Sequence, residues 1–113
     1  MKLPEEAELL RIFIGESDKY EGMPLFEAIV KEARRQNLGG ATVFRGLMGY
    51  GAHSRVHTAK VLRLSEDLPI VIEIVDSPEK IEAFLPDLDK MMVEGLVTVE
   101  RAKVLMYRPG KEK

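Results

Sequence analysis

Leu68-Pro69-Ile70-Val71-Ile72-Glu73-Ile74-Val75-Asp76-Ser77-Pro78-Glu79 joins a strand directly to a helix. Ile70, Ile72 and Ile74 alternate with Val71, Glu73 and Val75, so β-branched side chains line one face of an extended segment and recur on the other. Asp76 and Ser77 supply polar cap candidates, and Pro78 stands at the first helical position, where its missing N–H costs little. Ile81, Phe84, Leu85, Leu88, Met91 and Met92 then recur at helical spacing. Pro86 is expected to kink or split that helix, and Gly95 to end it.

Towards the N-terminus, Leu9 to Ile14 is a short apolar run bounded by Gly15 and reads as a strand. After the polar turn Glu16-Ser17-Asp18-Lys19 a second helix is expected, with Pro24 near its first turn. Its apolar stripe is Leu25, Phe26, Ile29, Val30 and Ala33, and Gly39-Gly40 is expected to stop it. Arg34 and Arg35 fall in the last turn, where cations suit the helix dipole. Ala41 to Met48 reads as the next strand. A final strand lies within Val97 to Arg108, where apolar parity shifts from Val97/Val99 to Ala102/Val104/Met106 and predicts a bulge or a late start. The order βαββαβ is the ferredoxin-like split arrangement, α+β, with a four-stranded antiparallel sheet and two helices on one face. Leu9, Arg11, Phe13, Val71, Val75, Leu105 and Tyr107 make the other face apolar as well, which calls for an oligomer to cover it.

The 113 residues are expected to form a single domain, 1–113, with flexible ends at about 1–7 and 109–113 and a long loop at about 49–64. A hydrophobic fraction of 45% supports a core, and 32% charged residues without low complexity argue against disorder. No apolar run approaches the ~20 residues of a membrane span. The opening Met1-Lys2-Leu3-Pro4-Glu5-Glu6 lacks a signal-peptide core, so a cytoplasmic location is expected. The absence of cysteine excludes disulfides and thiolate metal sites. One Asn and one Gln beside abundant Lys, Arg and Glu resemble a thermophile's composition.

Charge is unevenly spread. Net charge is -2, yet no acid occurs between Glu32 and Glu66, a stretch that holds Arg34, Arg35, Arg45, Arg55, Lys60, Arg63, both histidines and the glycines of Gly46-Leu47-Met48-Gly49-Tyr50-Gly51-Ala52. Such a basic, glycine-hinged segment suits an anionic partner. In the ferredoxin-like topology the connections Gly15 to Met23, Gly49 to about Leu64 and Gly95 to Thr98 meet at one end of the sheet. The middle one is far longer than a usual hairpin loop. Its glycines permit close backbone approach to a ligand, and Tyr50 offers a stacking surface or a subunit contact. His53 and His57, spaced i, i+4, stand near no acidic ligand, and no metal is assigned to them. Glu16 and Asp18 at the same end are candidates for a sugar hydroxyl, a metal or a helix cap. A register error of one residue would reverse the direction of Arg45, between a ligand cleft and a subunit core.

Leu10 to Asp18, Gly39-Gly40-Ala41-Thr42-Val43 and Arg63 to Pro69 together resemble the PII-like family catalogued as domain of unknown function 190. The likeness spans about Glu8 to Tyr107 and implies a ferredoxin-like homotrimer related in architecture to PII signalling proteins and the CutA family. It implies an adenine nucleotide bound between subunits as ligand, near Gly49, Tyr50, Gly51 and Ala52 at the loop base and Gly95, Leu96 and Val97 at the turn before the last strand. Arg108 on the closing strand matches the position of phosphate-reaching cations, and Arg45 and His57 join the set as anion contacts. The turn Glu94-Gly95-Leu96-Val97-Thr98 lacks the lysine of true PII proteins, which favours AMP or ADP over ATP.

The resulting expectation is a non-enzymatic regulatory module that needs no cofactor and signals to an unidentified protein through the basic loop. The alternative is a small enzyme acting on a phosphorylated metabolite, with His57 as acid or base and Arg45 or Arg55 clamping phosphate. Nucleic acid is not an expected partner: the net charge is negative and the basic stretch offers a single tyrosine and no tryptophan for stacking.

Overall fold

The computed structural model describes residues 3–51, 57–58 and 67–110. The first strand, β1 (Glu6–Gly15), is followed by the short β2 (Lys19–Tyr20) and β3 (Met23–Pro24), which pair with each other, and by α1 (Leu25–Arg35). Next come β4 (Thr42–Arg45), β5 (Met48–Gly49), β6 (His57–Thr58), β7 (Pro69–Asp76), α2 (Pro78–Met91) and β8 (Leu96–Lys103). The main sheet is antiparallel, in the order β4-β7-β1-β8. This is the ferredoxin-like α+β arrangement expected from the pattern of elements.

Alternation decides what each strand buries. Leu10, Ile12 and Ile14 of β1 and Ile70, Ile72 and Ile74 of β7 point to one side and are almost wholly buried. There they meet Leu25, Ala28, Ile29 and Ala33 of α1 and Ile81, Phe84, Leu88 and Met91 of α2, so both helices cover one face. The intervening residues Leu9, Arg11, Phe13, Val71, Glu73 and Val75 stay half-exposed on the other face. Arg11 lies between two carboxylates there, 3.0 Å from Glu73 Oε2 and 3.3 Å from Glu100 Oε1.

Several local expectations change. Asn37, not the glycine pair, ends α1: it adopts a left-handed φ of 61°, and the N–H groups of Asn37 and Leu38 donate to the carbonyls of Arg34 and Ala33. Gly39 instead donates its N–H to Asp76 Oδ2 at 2.6 Å, and Asp76, the one buried charged residue among those described, also accepts from Ser77 N–H. Ser77 caps α2 by accepting from Lys80 N–H. Pro86 does not split α2, which runs 14 residues to Met91.

The last strand has neither bulge nor late start. It begins at Leu96, keeps one register with β1 from Phe13↔Leu96 to Glu6↔Lys103, and stops before Leu105, Tyr107 and Arg108. The parity shift arises because Val97 and Val99 pair with Ile12 and Leu10 on the helix side, whereas Ala102 pairs with Ala7 on the open side. At the N-terminus, Glu6 and Ala7 belong to β1 rather than to a tail, and Ala7 is buried.

Candidate functional site

Gly15, Arg45, Pro69 and Leu96 all lie at one end of the main sheet, because Gly15 pairs with Pro69, Ile70 with Arg45 and Phe13 with Leu96. The three connections expected to meet there leave the sheet at that end. The loop base and the Gly95 turn, however, sit on opposite edges. Three strand spacings separate β4 from β8, about 14 Å. Within one chain they therefore make two half-sites.

On the β4 side, Gly46 donates its N–H to the Pro69 carbonyl at 2.7 Å, and the chain then forms β5, which pairs with β6 through Met48↔Thr58 and Gly49↔His57. The predicted single strand from Ala41 to Met48 is thus two strands around Gly46-Leu47. A Cβ on Gly46 or Gly49 would stand 2.7 or 2.9 Å from Pro69 Cγ. These two glycines let the loop stem close over a proline ring. Tyr50 beyond them is 75% exposed, a surface ready for a ring or a neighbour.

Arg45 pairs with Ile70, which points into the helix-covered core, so Arg45 stands on the helix side of the sheet edge and not on the open face. Its guanidinium lies 3.1 Å from Glu16 Oε1. Asp67 accepts from Ser17 N–H at 3.0 Å and the Leu68 carbonyl from Glu16 N–H at 2.9 Å. The Gly15–Asp18 turn thereby holds both stems of the long connection. Asp18 accepts from Gly15 N–H with its carboxylate and from Leu25 N–H with its carbonyl, so neither acid of this turn supplies the side-chain cap of α1. A Cβ on Gly15 would meet Asp67 Oδ1 at 2.6 Å, which explains the glycine. Asp67 was given no role from sequence, although it lies in the Arg63 to Pro69 segment that carries the family resemblance.

On the β8 side, Gly95 takes a positive φ of 134°, and a Cβ there would stand 2.7 Å from the Phe13 carbonyl oxygen. The turn is thus pressed against β1, and a groove of about 380 Å³ opens between it and α2, lined by Leu85, Leu88, Asp89, Met92, Glu94 and Val97 among others. Of the residues expected at this turn, Gly95 and Val97 line the groove, whereas Leu96 pairs with Phe13 on the open face; Leu85 and Met92 of α2, which read from sequence simply as core positions, line it too. Arg108 follows the other end of β8, away from the loops, and is not on the closing strand. The expectations for Ala52, His53, Arg55, Lys60 and Arg63 lie outside the described residues, and His57 is described only as part of β6.

Among the described residues no helix is long and apolar enough to cross a membrane. The family model described as Uncharacterized ACR, COG1993 (DUF190) matches residues 7–104. A UPF0166 protein of Aquifex aeolicus is 40% identical over 97 residues, 86% of this chain and 91% of that protein. A UPF0166 protein of Methanocaldococcus jannaschii is 38% identical over 95 residues, covering 83% and 87%. Among solved structures, a putative PII-like signaling protein from Thermus thermophilus superposes with a TM-score of 0.64 at 20% identity, covering 88% of this chain and 89% of that one. CPII from Thiomonas intermedia, a nitrogen regulatory PII-like protein bound to ADP, AMP and bicarbonate, gives 0.60 at 21% identity and 88% of each chain. With the family model spanning nearly all of β1 to β8 and the relatives matching over most of their own length, the chain belongs to the DUF190 family and has the PII-like fold.

Proposed function

We propose that the protein is a PII-like regulatory binding module. It assembles as a homotrimer, holds an adenine nucleotide in the clefts between subunits, AMP or ADP in preference to ATP, and reports it to a protein partner through the long basic connection. The observation that carries this reading is the split site: the loop base and the Gly95 turn share one end of the sheet but occupy opposite edges. A head-to-tail ring sets one copy's β4 edge beside the next copy's β8 edge and completes the site in each cleft.

Two features support it. CPII, which shares the fold, is bound to ADP and AMP. The open sheet face carries a continuous apolar row, Phe44–Val71–Phe13–Leu96, set side by side by the registers of all four strands. A ring buries such a row, and a lone chain leaves it wet.

Calorimetric titration with AMP, ADP, ATP and cyclic AMP, with and without Mg²⁺, beside sedimentation of the same sample, tests the proposal. Micromolar binding of AMP or ADP at about one per subunit, by a species of three chains that returns the ligand unchanged, is the expected result. No heat from any nucleotide rejects nucleotide sensing, and a turnover product moves the protein to the enzyme class.

A further inference from the structure

Glu16 touches both stems of the long connection. Its backbone N–H donates to the Leu68 carbonyl on the β7 side, and its carboxylate lies 3.1 Å from the Arg45 guanidinium on the β4 side. Ser17 N–H adds a bond to Asp67 Oδ1 at 3.0 Å. The turn that carries these groups is anchored from behind. Gly15 N–H donates to Asp18 Oδ2, Asp18 N–H to the Gly15 carbonyl, and Leu25 N–H, at the start of α1, to the Asp18 carbonyl. β2 and β3 close onto each other through Glu21 and Gly22, whose φ values of 48° and 83° suit a two-residue hairpin. Tyr20 and Met23 of that hairpin pack against the core.

The two stems are fastened unequally. On the β7 side Leu68 is buried, Asp67 Oδ1 fills the space that a Gly15 side chain would need, and the turn donates two backbone N–H groups. Those bonds do not depend on a second charge. On the β4 side the stem continues a four-residue edge strand, exposed throughout and paired with β7 alone. The turn reaches this stem through the Arg45–Glu16 pair, whose side chains are 58% and 27% exposed. An ion pair that wet is weak and is screened by salt.

We infer that the Gly15–Asp18 turn is a two-part clasp on the long connection, with Asp67 and Leu68 as its fixed half and Glu16–Arg45 as its release point. When the pair opens, the β4 stem from Arg45 to Tyr50 loosens and the β7 stem stays in place. Glu16 is thereby a positioning residue for Met48 and Tyr50, the exposed side chains that this stem presents. The inference rests on the fold and not on the nucleotide reading, so either can fail without the other.

Amide hydrogen exchange of the full chain, resolved residue by residue and without added nucleotide, tests the clasp. Gly46, whose N–H donates to the Pro69 carbonyl, reports on the β4 stem, and Ser17 reports on the fixed half. Glu16→Ala keeps the backbone bond to Leu68 and removes the ion pair. It is expected to speed exchange at Gly46 about twofold to fivefold and to leave Ser17 and the core-strand residues Ile12 and Ile72 unchanged. Salt at about 1 M is expected to speed Gly46 relative to Ile72 in the unaltered protein and to add nothing in the variant. Glu16→Arg/Arg45→Glu, which rebuilds the pair in reverse, is expected to return Gly46 to its original rate. Asp67→Ala is expected to release Ser17 about tenfold or more, and Asp67→Asn, which keeps an acceptor oxygen, far less. A Gly46 rate unchanged in Glu16→Ala overturns the inference. So does a rise shared equally by Gly46, Ser17 and Ile72, because the whole fold and not one stem would then have loosened.

Discussion

The two faces of the main sheet are built by the same strands and have opposite fates. On the helix side, Leu10, Ile12 and Ile72 are fully buried by side chains of the same molecule. On the other side, the neighbouring residues Phe13 and Val71 are half-buried, Phe44 is 49% and Leu96 56% exposed, and a row with the Arg11–Glu73 and Arg11–Glu100 ion pairs runs beside them. The first face is finished. The second resembles half of an interface: an apolar band next to paired charges that a partner surface covers without stranding a lone ion. In the proposed ring, stability resides on one face and association on the other, and substitutions on each side separate the two.

The largest effect is expected from Phe84→Ala, which empties the centre of the finished face. It should lower unfolding free energy by about 3–5 kcal/mol in denaturant titration. Equal loss from truncating the exposed Phe44 would break the contrast between the faces. Phe44→Glu, by comparison, should bring the sedimenting mass down to that of one chain while secondary structure by circular dichroism is retained. A trimer that tolerates glutamate there would remove the open face from the interface.

Arg11→Met sharpens the comparison within the open face. Arg11 and Glu73 are about one-third exposed and Glu100 60%, so the stability of a separate chain should change by no more than about 1 kcal/mol. Association should weaken measurably, because Glu73 and Glu100 then enter the interface unpaired, and Arg11→Met/Glu73→Gln/Glu100→Gln should restore it.

The smallest effect belongs to the outer surface of α1. Hydrogen bonds from Arg35 and then Gln36 hold the Glu32 carboxyl down from 4.5 to about 2. A carboxyl lowered on folding adds stability above its unfolded pKa and loses it as pH falls through the folded value. The contribution is therefore present above pH about 4.5 and disappears towards about 2. Glu32→Gln should flatten the acid limb of the stability curve in that window and leave assembly at neutral pH unchanged.

What was legible in the sequence was what repeats. The Ile70/Ile72/Ile74 alternation and the stripe from Ile81 to Met91 record which side of an element is buried, and burial on one continuous core leaves that periodicity. The last strand misled because it is an edge strand, exposed along nearly all its length, so little burial constrains its pattern. Glycine was harder to read. Gly39, Gly46 and Gly49 look alike in sequence, yet one lies against Asp76 and the others against the Pro69 ring, while Asn37 takes the left-handed turn expected of the glycine pair. Small residues report that something comes close and not what does.

By itself the chain determined the βαββαβ order, the helix-side core and the acid-free stretch from Ala33 to Ser65, because local propensity, periodic burial and formal charge are properties of neighbours along the backbone. Only the tertiary structure decided that Arg45 stands beside Glu16 on the helix side, that Asp67 joins the Gly15 turn, and that Asp89, Met92 and Glu94 share a groove with Val97. Those meetings depend on strand register and on how α2 returns across the sheet, and a change of one residue in either would send the same side chains to other places.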